Sequence, residues 1–368
     1  MPIRVLICDD SAVMRALLAD IIGREPGMEV VGTAADALVA REMIRNREPD
    51  VLTLDVEMPQ MDGLAFLERL MRLHPMAVVM ISSFTERGSD ASLRALELGA
   101  LEIVGKPAAR SPEALTEYAG QLVERIRAAH QAWERMRGAT RPRPLVRPIV
   151  PPPVAALSAV RSDAASRSAP LATAARSAGG RIIFIGASTG GTEAIKEVLQ
   201  RLPAATPPIL IVQHMPEMFT TSFARRLDGL SAMRVKEAES GERIVPGTVY
   251  IAPGHSHLSI RRAGTGYQCE LARSEPVNRH RPAVDVLFRS AAEQVGAAAV
   301  GVLLTGMGKD GAAGLRQMRD AGAWTIAQDQ DSCVVYGMPR EAAALGAAVQ
   351  VLPLSEIAAS VLQHAVGA

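Results

Sequence analysis

Short apolar runs recur along this chain, and between most of them the apolar positions fall at helical spacing. Over residues 1–137 the runs are IRVLIC (3–8), MEVVGTA (28–34), DVLTLD (50–55), AVVMIS (77–82) and LEIV (101–104). Five strands alternating with helices predict a parallel sheet with helices on both faces. The last helix of this part, about 112–137, reads as long and amphipathic. Residues 181–368 alternate too, through RIIFIG (181–186), PILIVQH (208–214), TVYIAPG (248–254), AAAVGVLLTG (297–306), WTIAQD (324–329) and VQVLPL (349–354). HSHLSIRR and YQCELAR, around 255–273, predict a β-hairpin inserted into that pattern. Between the two parts, residues 138–180 are rich in Pro, Arg, Ala and Ser and have no sustained apolar period. They predict a flexible, partly polyproline-like linker. The expected domains are therefore 1–137 and 181–368, both α/β.

Composition narrows the function classes. The 368 residues carry a net charge of +1, and aromatics make up 3%. Neither a polyanion partner nor a base-stacking surface is announced. No basic recognition helix is seen, so no nucleic-acid partner is expected. Cys8, Cys269 and Cys333 are scattered, with no disulfide framework or metal spacing, which suits a reducing compartment. Residues 1–20 lack a leader pattern, and no apolar run is long enough to span a bilayer. The expected location is cytoplasmic, with any membrane-protein target approached from the cytoplasmic face.

Polar residues gather at the predicted strand ends of the first part. Asp9 and Asp10 follow the first strand, Asp55 ends the third, Ser82 the fourth, and Lys106 follows the fifth. In an open parallel sheet these meet at the carboxyl edge. Three carboxylates in one crevice repel, and a Mg²⁺ ion with oxygen ligands resolves this. Asp55 could then act as a nucleophile and form an aspartyl phosphate, with Ser82 and Lys106 holding the phosphoryl oxygens. The plainer reading, that each residue only caps a strand or helix, is hard to extend to five strand ends at once.

The second part poses a question in IFIGASTGGTEA (183–194). A strand stops, and a Ser, a Thr and two glycines precede a helix. Such a turn can cradle a phosphate, present a nucleophile or simply cap the helix. Ser188 would face free N–H groups at the helix start, which suits a developing oxyanion. His214 ends the next strand, and Asp310 sits on a glycine turn after a later one. The three can converge as nucleophile, base and orienting group. A rival is formal: GMGKDG (306–311) fits G-x-G-x-x-G, with Asp329 ending the following strand. Asp310 inside that loop would repel a pyrophosphate, and the loop comes late in the domain, so the rival is rejected. His255 and His257 lack a third metal ligand, and a structural or substrate-contact role is expected for them. VNRHRPAVDVLF (277–288) is dense in polar groups, with Arg279 and His280 as candidates for a substrate cleft.

Two resemblances sharpen these expectations. CDDSAVMR, LTLDVEMPQMDGLAFL, MISS and GKP resemble the receiver domains of two-component response regulators. The resemblance implies a flavodoxin-like fold, Mg²⁺ held by Asp9, Asp10, Asp55 and the backbone near Glu57, phosphorylation at Asp55, and Ser82 and Lys106 as switch residues. Many receivers carry Phe or Tyr three positions before that lysine; here Ile103 stands there, so output must run through backbone and surface changes. GASTGGTEA, QHMPEMFTTSFARRLD, YIAPG, LTGMGKDGAAGL and SCVVYGMPREA resemble the catalytic domain of the chemotaxis protein-glutamate methylesterase/glutaminase family. That resemblance implies a Rossmann-like domain with Ser188 as nucleophile, His214 as base and acid, Asp310 as orienting group, a backbone oxyanion site near Met307, and Thr189 assisting. It also implies hydrolysis without a cofactor, a chemotaxis histidine kinase as phosphodonor, and methyl-accepting chemoreceptors as substrates.

Overall fold

The apolar runs become the strands of two parallel sheets in the computed structural model, which describes residues 1–58, 62–83, 85–107, 111–139 and 180–366. The first sheet contains β1 (Ile3–Cys8), β2 (Met28–Ala34), β3 (Val51–Asp55), β4 (Ala77–Ser82) and β5 (Glu102–Gly105). Its spatial order is β2-β1-β3-β4-β5, all parallel. The helices α1 (Ala12–Gly23), α2 (Ala37–Arg47), α3 (Gly63–Leu73), α4 (Glu86–Glu97) and α5 (Pro112–Ala139) connect and cover it. Their starts follow capping chemistry: Ser11, Asp36 and Asp62 accept the free N–H groups of the first turns of α1, α2 and α3. Every residue of β3, β4 and β5 is buried, as strands covered on both faces require.

The second sheet has seven parallel strands: β6 (Ile182–Ala187), β7 (Ile209–Gln213), β8 (Arg234–Glu237), β9 (Thr248–Ile251), β12 (Ala299–Leu303), β13 (Trp324–Gln328) and β14 (Gln350–Leu352). The expected hairpin forms a separate antiparallel pair, β10 (His257–Ala263) with β11 (Gly266–Ala272). The helices are α6 (Gly191–Gln200), α7 (Glu217–Asp228), α8 (Val284–Gln294), α9 (Ala312–Asp320), α10 (Met338–Ala344) and α11 (Leu354–Ala365). The strand order is β14-β13-β12-β6-β7-β9-β8. The chain starts at the centre with β6, works outward through β7, then returns to β12 on the other side. The order therefore switches between β6 and β12, where doubly wound sheets open a crevice at their carboxyl ends.

Two details depart from the expectations. The strand β8 was not foreseen; it is a short edge strand whose sequence, RVKE, reads as loop. Helix α5 runs to Ala139, two residues into the stretch 138–180 expected to be linker. The rest of that stretch, apart from Gly180, lies outside the described residues.

Candidate active site and phosphoacceptor site

Ser188, His214 and Asp310 come from the carboxyl ends of β6, β7 and β12, the strands around the switch point. All three are buried, with 4%, 4% and 1% of their surfaces exposed. Ser188 stands where β6 turns into α6. The turn needs Gly190, whose φ of 75° lies in the left-handed region and whose Cβ would meet the Val334 side chain at 2.5 Å. Gly190 offers no side-chain cap to α6, so the positive end of that helix points toward the Ser188 turn. On the opposite side the loop after β12 presses close: a Cβ on Gly306 would stand 2.7 Å from the Ser188 Cβ. Met307 follows directly on this loop, which is held by the Gly337 and Met338 amides donating to the Gly306 carbonyl.

His214 Nε2 lies 2.8 Å from Asp310 Oδ2. A carboxylate facing Nε2 places the ring proton there and leaves Nδ1 as the basic atom. Nδ1 is buried without a hydrogen-bond partner. Thus His214 and Asp310 are joined, whereas Ser188 is a neighbour whose hydroxyl is not yet bonded to the imidazole. Asp310 does not cap its own helix: the residue before α9 is Gly311. It reaches across to α8, accepting the Val284 and Asp285 amides at 2.6 and 3.1 Å. The helix α8 begins at Ala283 with no cap of its own, so Asp310 supplies it. Burial pushes the Asp310 carboxyl up, but the His214 and Asn278 hydrogen bonds and the Val284 amide outweigh it and hold the group below the ordinary carboxylate range.

The other candidates fall in different places. His280 stacks on His214, with ring centroids 3.7 Å apart. Burial, His214 and Arg125 all push the His280 imidazole down to about 2, which keeps it neutral. Arg279 lines the cleft beside it. His257 is structural: its Nδ1 accepts the Ala283 amide and its Nε2 faces the Glu275 carbonyl, both at 3.1 Å. His255 pairs with Ser256 at 2.6 Å. Asp329 accepts the Ser332 amide and hydroxyl at 2.9 and 2.6 Å, a local turn that leaves no ribose-binding arrangement. Among the described residues, no sequence signal announced Asn278, whose side chain reaches Asp310; it lay inside a stretch noted only for its polarity.

In the first sheet, Asp9, Asp10 and Asp55 place carboxylate oxygens within 4.8 Å of one another. Lys106 Nζ lies 2.9 Å from Asp55 and 3.2 Å from Asp9. Burial raises the Asp55 carboxyl to about 6 despite the Lys106 hydrogen bond. The Glu57 side chain is exposed and stands apart; its amide donates to Asp55 at 3.3 Å. Ser82 is buried at the end of β4, and Ile103, at the position where many receivers carry an aromatic, is packed into the core.

Residues 183–361 match the family described as CheB methylesterase, and residues 5–119 match the response regulator receiver domain. The chain is 58% identical to protein-glutamate methylesterase/protein-glutamine glutaminase 1 of Dechloromonas aromatica over 98% of its length and 99% of that protein's. It is 56% identical to protein-glutamate methylesterase/protein-glutamine glutaminase of Ralstonia nicotianae over 98% of its length and 95% of that protein's. A crystal structure of the Thermotoga maritima CheB methylesterase catalytic domain is 43% identical, with TM-score 0.49, over 50% of this chain and 98% of that one. The chain belongs to the protein-glutamate methylesterase/protein-glutamine glutaminase family. Among the described residues, no helix is long and apolar enough to cross a membrane.

In this methylesterase-family chain the first sheet's domain sits over the candidate triad. The helix α4 packs on α7, with an ion pair between Glu97 and Arg226. From α5, Arg125 donates to Glu102 at 2.8 Å and to the His214 backbone carbonyl at 3.3 Å. Burial pushes the Glu102 carboxyl up, and Arg125 and the nearby Thr189 hydroxyl oppose this. Further along α5, Glu124 lies 3.7 Å from His280, and the Arg135 guanidinium lies 5.7 Å from the Tyr336 ring centre. Leu101, Glu102, Ile103 and Arg125 line a cavity of about 30 Å³ together with Ser188, Thr189 and His214. A larger cleft of about 300 Å³ reaches His214 from the side of Arg125, His280 and Arg281.

Proposed function

We propose that residues 181–368 hydrolyse glutamate γ-methyl esters on chemoreceptors and deamidate receptor glutamines, and that residues 1–137 act as a receiver that gates this activity. The observation that carries the reading is the His214–Asp310 pair, 2.8 Å apart, beside Ser188 at the switch point of the sheet. Ser188 Oγ attacks the ester carbonyl while His214 Nδ1 takes its proton. The oxyanion is met by backbone donors near Met307 and at the start of α6. His214 returns the proton to the methoxide, and methanol leaves. Water then attacks the acyl-enzyme with His214 as base, freeing glutamate and Ser188. With a glutamine side chain the same steps release ammonia. Asp310 holds the imidazole and its developing charge, and Thr189 assists beside the nucleophile.

The gate rests on coverage. Leu101, Glu102, Ile103 and Arg125 of the first unit line the space at Ser188, Thr189 and His214, which supports reading this arrangement as a covered form, although a cleft of about 300 Å³ still reaches His214 beside Arg125 and His280. Asp55 is the phosphoacceptor in this reading, with a histidine kinase as donor and Ser82 and Lys106 as switch residues. Asp9, Asp10 and Asp55, with the backbone near Glu57, would hold Mg²⁺. Their clustered carboxylates fit a divalent cation, since Asp9, Asp10 and Asp55 bring three carboxylates together against the single Lys106 ammonium. When bound, the ion neutralises charge on the transferring phosphoryl group. Phosphorylation shifts Lys106 from the Asp55 carboxylate onto the new phosphoryl oxygens. Lys106 directly follows β5, the strand that carries Glu102 and Ile103 to the cavity at Ser188, and its shift loosens the cover.

The test is methanol release from methylated chemoreceptor membranes, with and without a small phosphodonor and Mg²⁺. Release that rises on phosphorylation supports both parts. Steady release keeps the esterase and discards the gate. In the same assay Ser188→Ala leaves background release, a loss of about a thousandfold or more; near-normal turnover by that variant would remove Ser188 as the nucleophile.

A further inference from the structure

The stretch between β11 and α8 touches both members of the bonded pair. At its centre Val277 and His280 exchange backbone hydrogen bonds of 3.0 and 2.9 Å. The two residues between them, Asn278 and Arg279, have φ of 54° and 69°. Positive φ at both central positions is the type I′ reversal, which usually recruits glycine. Here neither residue is glycine. Asn enters the left-handed region more readily than most residues and Arg does not, so the surroundings must enforce the turn. His257 pins both ends of the stretch through Glu275 and Ala283. The Asn278 amide group pins the middle.

Asn278 Nδ2 donates to Asp285 Oδ2 at 2.8 Å and to Asp310 Oδ1 at 2.7 Å. Both partners are acceptors, so only the NH₂ side of the amide can face them. Asp310 is thereby divided between two tasks. Its Oδ2 faces His214 and accepts the Val284 amide; its Oδ1 accepts the Asp285 amide and Asn278. Without Asn278, Oδ1 keeps a single 3.1 Å bond, and two buried carboxylates lose the donor between them. Asp285 is fixed on its other oxygen by the Gly314 amide at 2.7 Å, and on Oδ2 only the half-exposed Arg289 guanidinium, 3.7 Å away, remains to offset the repulsion.

We propose that Asn278 is a positioning residue: its amide bridges the Asp285 and Asp310 carboxylates and sets the plane in which Asp310 meets His214. The inference rests on the hydrolytic reading above. It accounts for an otherwise costly turn, because the left-handed backbone at Asn278 is what aims the amide between the two acids.

The test compares full-length wild type with Asn278→Ala, Asn278→Asp and Asp310→Asn, all with phosphodonor and Mg²⁺, by methanol release across pH. A packing role predicts that the near-isosteric Asn278→Asp is tolerated better than Asn278→Ala. The bridging role predicts the reverse. Asn278→Ala lowers kcat about tenfold or more, with KM within about twofold, because a hydrogen bond to a charged group is lost. Asn278→Asp lowers it further, because a third carboxylate replaces the donor. The charged and titratable groups about the pair are His280, stacked on His214 with Glu124 3.7 Å behind it, Arg125 and Arg279 on the cleft side, and Asp285 behind Asp310 with Arg289 3.7 Å from it. A less neutralised Asp310 among them favours the imidazolium, so the acid limb of kcat/KM moves to higher pH, most in Asn278→Asp. Melting temperatures verify folding, and Asn278→Ala carries the test alone if the aspartate variant does not fold. Normal kcat and an unmoved acid limb in Asn278→Ala, or Asn278→Asp outperforming it, overturn the inference while an inactive Asp310→Asn leaves the hydrolytic reading standing. An Asp310→Asn variant that hydrolyses normally, or a wild type that does not hydrolyse, removes that reading and this inference with it.

Discussion

Two parallel sheets in this chain gather their chemistry at the same edge, and they treat charge in opposite ways. The first sheet concentrates Asp9, Asp10 and Asp55 against a single lysine. Burial wins there, and Asp55 rises to about 6. The second sheet's edge buries Asp310 beside Asp285 and surrounds Asp310 with two helix amides, an asparagine and a histidine. Donors win there, and Asp310 stays below the usual carboxylate range. One edge gathers acids against a single lysine; the other surrounds its acid with donors from its own residues. A carboxylate's burial alone therefore says little about its charge state. The number of donors aimed at it decides.

Asp310→Asn breaks the self-sufficient edge and carries the largest expected effect. The amide keeps the shape but cannot stabilise the imidazolium or favour the right tautomer. Hydrolysis falls by about a thousandfold to ten-thousandfold, read by methanol release. The cap on α8 also weakens, so the melting temperature drops by an amount corresponding to about 1 kcal/mol.

Asp55→Asn breaks the other edge in the opposite sense. A folded-state value raised from 3.8 to about 6 means that the ionised group costs stability. The wild-type fold has its full contribution from this group below about pH 4 and loses it as pH rises through 6. Removing the charge therefore stabilises the metal-free protein at pH 7, by up to about 3 kcal/mol, and has little effect at pH 3.5. Thermal melts at the two pH values check this, and added Mg²⁺ narrows the gap at pH 7. Basal hydrolysis persists, and stimulation by a phosphodonor is lost.

The mildest probe sits between the edges. Arg125→Met alone would strand the buried Glu102 charge, so it is paired with Glu102→Gln. This double variant raises methanol release by the unphosphorylated protein severalfold and shrinks the further rise on phosphorylation. Unchanged basal release would show that this ion pair does not hold the cover.

Much of this contrast is legible in the chain. The runs 3–8, 28–34 and 77–82 coincide with β1, β2 and β4: the central β4 is apolar and buried throughout, and the edge strand β2 keeps an apolar core with exposed Glu29 and Thr33. Ser188, His214 and Asp310 stand out because strand ends of an open parallel sheet meet at one edge. The strand β8 is hidden for a physical reason: it lies at the sheet edge, pairs only with β9 and needs little burial. Asn278 is hidden because its partner lies 32 residues away and its own position is a turn, not a strand end. The Glu102–Arg125–His214 chain of contacts belongs to the docking of two folded units. No periodicity within either unit encodes it.

Helix α5 adds a mechanical dimension. Its 28 residues make a rod about 42 Å long. It begins on the first sheet's domain and delivers Glu124, Arg125 and Arg135 to the second. On a lever of that length, a rotation of about five degrees at one end moves the other by roughly 4 Å, more than any hydrogen bond tolerates. In the gated reading proposed above, a slight tilt of the first unit, whose core holds α5 as far as Trp133, is enough to part Arg135 from Tyr336.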